Sequence, residues 1–282
     1  MSELRLPAPR DIATLALLAE EIDILIVGRR MRAWIGLATI LVLLLGWYLT
    51  TDVGGLIDRQ RFPSPSDIVT AASQIVRQGY AGGTLLTQAL YSLRLVVLGF
   101  LVAALSGVPL GIMMGLSRRF EAFVNPAFLL VRPIPPLAWI PLAIVWLGLA
   151  DGAKVLVIWF AAFVPAVINS QAGIRSVDET LIAAGRVHGA SRARIICDVL
   201  IPGAMPMIFT GLRLSLQASW TTLMAAELVG AVFGLGKVLS TAYRDIYPAM
   251  IAVGMITVAI LGALTTKALE TIERRVIRWR GH

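Results

Sequence analysis

The chain has 282 residues, of which 57% are hydrophobic and 15% charged, with a formal net charge of +8 and a mean hydropathy of +0.80. A soluble domain carries about a quarter of its residues as charges, so this composition excludes one and points to a polytopic membrane protein. The basic excess reads as loops facing an anionic membrane surface and not as a nucleic-acid interface; one cysteine, Cys197, and two histidines, His188 and His282, exclude an internal disulfide and a thiolate or histidine metal site.

Residues 1–32 read as an N-terminal segment outside the membrane. Within it, "DIATLALLAEEIDILIVG" (Asp11 to Gly28) spaces apolar residues by three and four with acids between them. That pattern suits an interfacial helix or a helix that binds a soluble partner. The membrane domain is expected over 33–282, with spans at about 33–49, 85–116, 120–149, 155–174, 203–229 and 248–269.

The first span follows "RRMR" and ends on Trp47 and Tyr48, whose rings favour the interface. It is not a cleaved signal peptide: the polar region before it is too long and no small-residue cleavage site follows. The second carries Gly99, Gly107, Gly111 and Gly115, a stripe suited to close helix packing.

The third span contains "RPIPPLAWIP", Arg132 to Pro141. Its 30 residues, divided in two, would give arms of about a dozen each, too short to cross about 30 Å of hydrocarbon; one long broken crossing fits. Pro133, Pro135 and Pro136 remove backbone donors, and irregular backbone at membrane depth is tolerated where it meets protein or a wet cavity. The segment, Trp139 included, therefore belongs beside a path or a neighbour. Arg132 allows two readings, a guanidinium that holds an anionic solute bidentately or one that snorkels to the interface.

The fifth span holds Arg213, Ser219, Trp220 and Glu227. They suit a polar path or gate, and equally ordinary packing. Because an acid repels an anion, Glu227 fits a structural pairing or gate better than solute ligation. Arg213 can snorkel or pair across the bundle.

Between the fourth and fifth spans lies the loop 176–202. Asp178 suits an N-cap, "ETLIAAGRV" a short helix, Gly189 a turn of positive φ, and "SRARIICDVL" the start of a second short helix. Placing the N-terminus in the cytoplasm assigns 16 of the basic residues to cytoplasmic segments and 6 to outer ones, so both termini are expected inside. A phosphate-binding loop is absent: "GAVFGLGKV" has Gly230, Gly236 and Lys237, but the spacing is wrong and Val238 stands where magnesium needs a hydroxyl. The spans hold no catalytic cluster, so the chain is not expected to be an enzyme. An ion-coupled secondary transporter remains the alternative, although Glu227 is the one clearly placed acid and no inverted repeat is evident.

The loop resembles the cytoplasmic signature of ATP-binding-cassette importer permeases, Glu-Ala-Ala, three residues, Gly, nine residues, Ile-x-Leu-Pro. Here the frame is Ala183, Ala184, Gly185, then Gly189, then Val199, Leu200, Ile201 and Pro202. Ala183 replaces the glutamate. "FPSPSDIV", "RPIPPLAWIPLAIVWLG", "GIRSVD", "FTGLRLSL" and "AAELVGAVFGLG" look like the nitrate, sulfonate and taurine branch, and the likeness extends over about residues 60–280.

The resemblance implies an all-α type I importer permease of about six transmembrane helices plus coupling helices, in a bacterial inner membrane. It implies a homodimer with a second permease copy, two ATPase subunits that carry ATP and magnesium, and a periplasmic or lipid-anchored solute-binding protein; this chain itself needs no cofactor. The ATPase-coupling residues would be Ala183, Ala184, Gly185, Gly189, Ala190, Ser191, Arg192 and Pro202. Taurine or another alkanesulfonate is the first expected solute, with nitrate, bicarbonate or an aromatic carboxylate as alternatives.

Overall fold

A computed structural model describes residues 31, 34–36, 38–53 and 62–277. The expected interfacial helix at 11–28 lies outside the described residues. The chain divides into two compact units, Met1–Ser66 and Asp67–His282.

In the first unit, α1 (Trp34–Asp52) is long and apolar enough to cross a membrane. Its last turn widens to π geometry over Leu49–Val53. Trp47 Nε1 donates to the Pro63 carbonyl at 3.1 Å, and its ring meets Phe62 edge-on at 5.7 Å, which ties the following chain back to the helix end. Helix α2 (Pro65–Arg77) begins at the boundary of the units and buries Ile68, Ala71 and Ile75, spaced three and four apart on one face.

The second unit is built on α6 (Asp151–Arg175), flanked by α3 (Leu85–Leu116) and α9 (Ile201–Gly230). Helices α3, α6, α9 and α11 (Pro248–Val276) are each long and apolar enough to span a bilayer. The α3–α6 contact runs along the glycine stripe. A Cβ on Gly99 would lie 2.4 Å from Ile158 Cγ2, and one on Gly111 would lie 2.3 Å from the Val167 carbonyl oxygen. The axes approach this closely because hydrogen atoms stand where side chains would be, the usual basis of tight contact in lipid. Toward α9, Leu95, Val96 and Ile158 pack with Leu216, Trp220 and Leu223.

Polar side chains one turn after the prolines inside these helices bond back to their own helix. Asn169 Nδ2 donates to the Pro165 carbonyl at 2.9 Å and Thr210 Oγ1 to that of Pro206 at 2.9 Å.

The third expected span is two helices, α4 (Arg118–Val131) and α5 (Trp139–Leu147), joined through a 3-10 turn at Pro136–Ala138. The pair bends by 72° at the proline segment. Past the fifth span, α10 (Leu235–Arg244) is a short amphipathic helix packed between α9 and α11. Helix α11 outruns its expected apolar stretch by about two turns, because Glu270, Glu273, Arg274 and Arg275 continue a good helical sequence.

Candidate translocation and coupling sites

The loop after α6 forms α7 (Glu179–Val187), capped by Asp178, whose carboxylate accepts the Thr180 N–H at 2.8 Å. That backbone bond holds the Asp178 carboxyl below its usual range. The helix ends in a Schellman motif: Ala190 N–H donates to Gly185 and Gly189 N–H to Arg186, with Gly189 at φ 73°. Only glycine takes that φ without strain.

Ser191 Oγ then accepts the Arg194 N–H at 3.3 Å and starts α8 (Arg192–Ile195). The second short helix expected here is instead the beginning of a 39-residue helix, Arg192–Gly230. A π turn at Ile196–Leu200 joins α8 to α9. Pro202 explains it: its ring would clash with the Asp198 carbonyl, and the preceding Ile201 N–H reaches Ile196, five residues back.

Leu181 and Val187 are 55% and 86% exposed. Ala183, Ala184, Gly189, Ser191 and Arg192 are exposed beside them, with Gly185, Ala190 and Pro202 half-buried. Ile182, Arg186, Ala190, Arg192, Ile195 and Leu200 are among the residues around a cavity of about 470 Å³. The knob thus offers an apolar floor with two guanidinium groups.

The proline segment lines a second cavity. Arg132, Ile134, Pro136 and Trp139 face α6 across a groove of about 410 Å³. Pro133 and Pro135 are exposed at the bend. Trp139 stacks on Phe160 at 4.1 Å with planes 9° apart. Phe160 meets Trp159, which meets Phe163, at 4.7 and 5.0 Å. Among the described residues Arg132 has no hydrogen-bond or ion-pair partner for its side chain, and no acid lines the groove.

The polar residues expected on the fifth span are not gathered around that groove. Ser219 is fully buried and bonds back to Ser215 at 2.8 Å. Trp220 Nε1 donates to Thr265 at 3.1 Å. Arg213 pairs across the bundle with Glu273 of α11, the second of its two readings.

Glu227 is 0% exposed. Its carboxyl accepts the Gly236 N–H at 2.7 Å and the Ser92 hydroxyl at 2.9 and 3.0 Å. Ser92 in turn accepts the Leu235 N–H at 2.9 Å, and Gln88 Oε1 accepts the Gly234 N–H at 2.6 Å. Three donors at the N-terminus of α10 are therefore satisfied by α3 and α9 side chains, the sign of group a helix start prefers.

The face of α9 turned away from the bundle is Gly203, Met207, Thr210, Leu214, Gln217, Thr221 and Leu228. Up to Thr221 the steps alternate four and three. The sequence reading favoured Ser219 and Trp220, which are buried; steps of four, three and four from Thr210 would have selected Leu214, Gln217 and Thr221. Ser92, Gln88 and Glu273 were also missed, although polar residues four apart at 88 and 92 are unusual in so apolar a helix.

A bundle of apolar helices with glycine-tight packing, a proline-broken span and an exposed helical knob has the architecture of a polytopic membrane protein. More narrowly, the chain belongs to the family described as binding-protein-dependent transport system inner membrane component, whose model matches residues 107–278. It is 36% identical to the taurine transport system permease protein of Escherichia coli K12, over 88% of this chain and 90% of the relative. The putative aliphatic sulfonates transport permease protein of Bacillus subtilis 168 is 34% identical, covering 90% of each chain. The bicarbonate transport system permease protein of Synechococcus elongatus is 31% identical, over 86% of this chain and 88% of the relative. Among solved structures, the fold is similar to the inward-facing MetNI methionine ABC transporter, with TM-score 0.53 and 23% identity over 70% of this chain and 96% of that one. It is also similar to an amino acid ABC transporter solved with histidines, with TM-score 0.54 and 18% identity over 68% and 92%. The chain is thus a multi-pass permease subunit of an ABC importer, with the type I permease fold.

Proposed function

We propose that two copies of this chain form the path of an ATP-driven importer for a small oxyanion, and that Arg132 is the charge the anion meets. The observation that carries this reading is the unpaired guanidinium in a groove with no acid. An unpaired guanidinium beside an apolar groove is a counter-charge that an anionic solute can meet with two parallel hydrogen bonds. Taurine and other alkanesulfonates are the first solutes to assay. Nitrate, bicarbonate and aromatic carboxylates follow, since relatives of similar identity carry taurine, sulfonate and bicarbonate names.

A second copy is supported by α9. Thr210, Gln217 and Thr221 face outward from the bundle; the two threonine hydroxyls bond back to their own helix, but hydrocarbon would leave the Gln217 amide unsatisfied. A two-fold partner or a wet path would not. The asymmetry of basic residues supports cytoplasmic termini and a cytoplasmic knob. There the apolar floor and the Arg186 and Arg192 rim suit docking of an ATPase subunit, which would carry ATP and magnesium. A solute-binding protein outside the membrane would deliver the anion.

The test is uptake into proteoliposomes holding permease, ATPase and binding protein. ATP-dependent accumulation of a sulfonate, reduced by Arg132→Ala and partly kept by Arg132→Lys, is expected. Uptake driven by an ion gradient without ATP would replace this reading with that of a secondary transporter.

A further inference from the structure

The groove at Arg132 is lined by much more than a charge. Its walls are a continuous aromatic surface: Trp139 stacked on Phe160, Trp159 edge-on to Phe160, and Phe163 tilted against Trp159. Phe128 of α4 meets Phe163 at 6.4 Å and is also among the lining residues. Trp159 is held in place by its Nε1 bond to Ser106 at 2.9 Å, so this wall is fixed from behind by α3. The volume, about 410 Å³, falls in the range of about 300–1,000 Å³ usual for organic ligands. A nitrate or bicarbonate ion would leave most of it empty.

We infer that the groove selects an anion with an aromatic body, an arylsulfonate or aryl carboxylate whose acidic head meets Arg132 and whose ring stacks among Trp139, Phe160 and Trp159. This rests on the anion-permease reading above and narrows its substrate class. The chemistry supports each half. A planar guanidinium matches a sulfonate or carboxylate with two parallel hydrogen bonds, and stacked or edge-on rings favour another ring beyond the area they bury. Taurine fits less well because its primary ammonium is strongly hydrated, and the lining offers no carboxylate to receive it.

The test is calorimetric titration of the purified permease–ATPase complex in phosphatidylcholine nanodiscs with benzenesulfonate, methanesulfonate and taurine. Benzenesulfonate should bind about tenfold tighter than methanesulfonate, the factor an added ring stack provides. Trp139→Leu should bring the ratio of the two affinities close to unity. Arg132→Ala should weaken both by tenfold or more, and ATPase co-purification with each variant reports that it has folded. Equal affinities for the two sulfonates, both lost in Arg132→Ala, would overturn the aromatic inference and leave the anion reading standing. Tighter binding of taurine than of benzenesulfonate would overturn it as well. So would the absence of any Trp139-dependent binding, whether lipid or the second copy fills the groove. Competition of benzenesulfonate by phosphatidylglycerol added to the discs would identify the groove as a lipid-headgroup site and overturn it too.

Discussion

Replacing Glu227 with alanine should loosen α10 from the bundle without unfolding α3, α6 or α9. The carboxyl accepts the Gly236 N–H at the start of α10 and the Ser92 hydroxyl of α3, each worth about 1–3 kcal/mol when the acceptor is lost and the donor stays buried. Its place at the helix start adds about 0.3–2 kcal/mol. Against this, alanine removes the cost of burying a carboxyl, which offsets a few kcal/mol. The net expectation is about 3 kcal/mol, felt where the bonds are made. Hydrogen exchange measured by mass spectrometry on the purified protein should therefore speed up by roughly a hundredfold in peptides covering residues 231–247. Peptides from α6 should keep their protection. Glu227→Gln should lose much less, because its amide oxygen can accept the Gly236 N–H while its amide nitrogen donates to Ser92. Unchanged exchange across 231–247 in the alanine variant would refute the claim that this side chain holds α10.

Gly111→Ala should lower the melting temperature of the detergent-purified protein by several degrees and cost about 1–3 kcal/mol, since the new methyl meets the Val167 backbone; Gly262→Ala, with nothing within 4 Å, is the control, and equal stability of the two variants would contradict the packing argument. Gly189→Val should cost about 1–3 kcal/mol locally, because φ is 73°, and should reduce ATPase co-purification, while Gly189→Asn should retain most of it; full retention by valine would show that the turn does not set the knob. Cysteine at Gln217, in a Cys197→Ser background, should crosslink two copies, whereas cysteine at Ser219 should not. The opposite result would put the wrong face of α9 at the interface.

Much of the fold was legible because membrane spans write themselves in length and hydropathy. The break in the third span followed from Pro133, Pro135 and Pro136, and the Schellman turn from Gly189. The faces of α9 were harder. Ser215, Ser219, Thr222 and Glu227 are buried, while Gln217 and Thr221 are exposed, so polarity alone does not say which side of a membrane helix meets its own bundle. In water the polar face marks solvent; in lipid, polar side chains turn inward or toward a partner. The Glu227 cap was hidden for a different reason. Its partners, Ser92 and the backbone at 234–236, are brought to it by tertiary structure, and nothing in the spacing of 92 and 227 announces them. The continuity of α8 with α9 was missed because Pro202 reads as a helix start, when a π turn can carry the ladder past it.

That π turn has a mechanical meaning. From Arg192 to Gly230 the backbone is one helix of 39 residues, about 58 Å long, with a single five-residue stretch of altered winding near its lower end. The knob, the outward Thr210–Gln217–Thr221 face and the Glu227 cap of α10 are mounted on the same rod. A tilt of the Arg192 end would carry Thr210, Gln217, Thr221 and Glu227 with it to the extent that Ile196–Leu200 keeps its winding, and an extra or lost i→i+5 bond there would change the angle between the two ends.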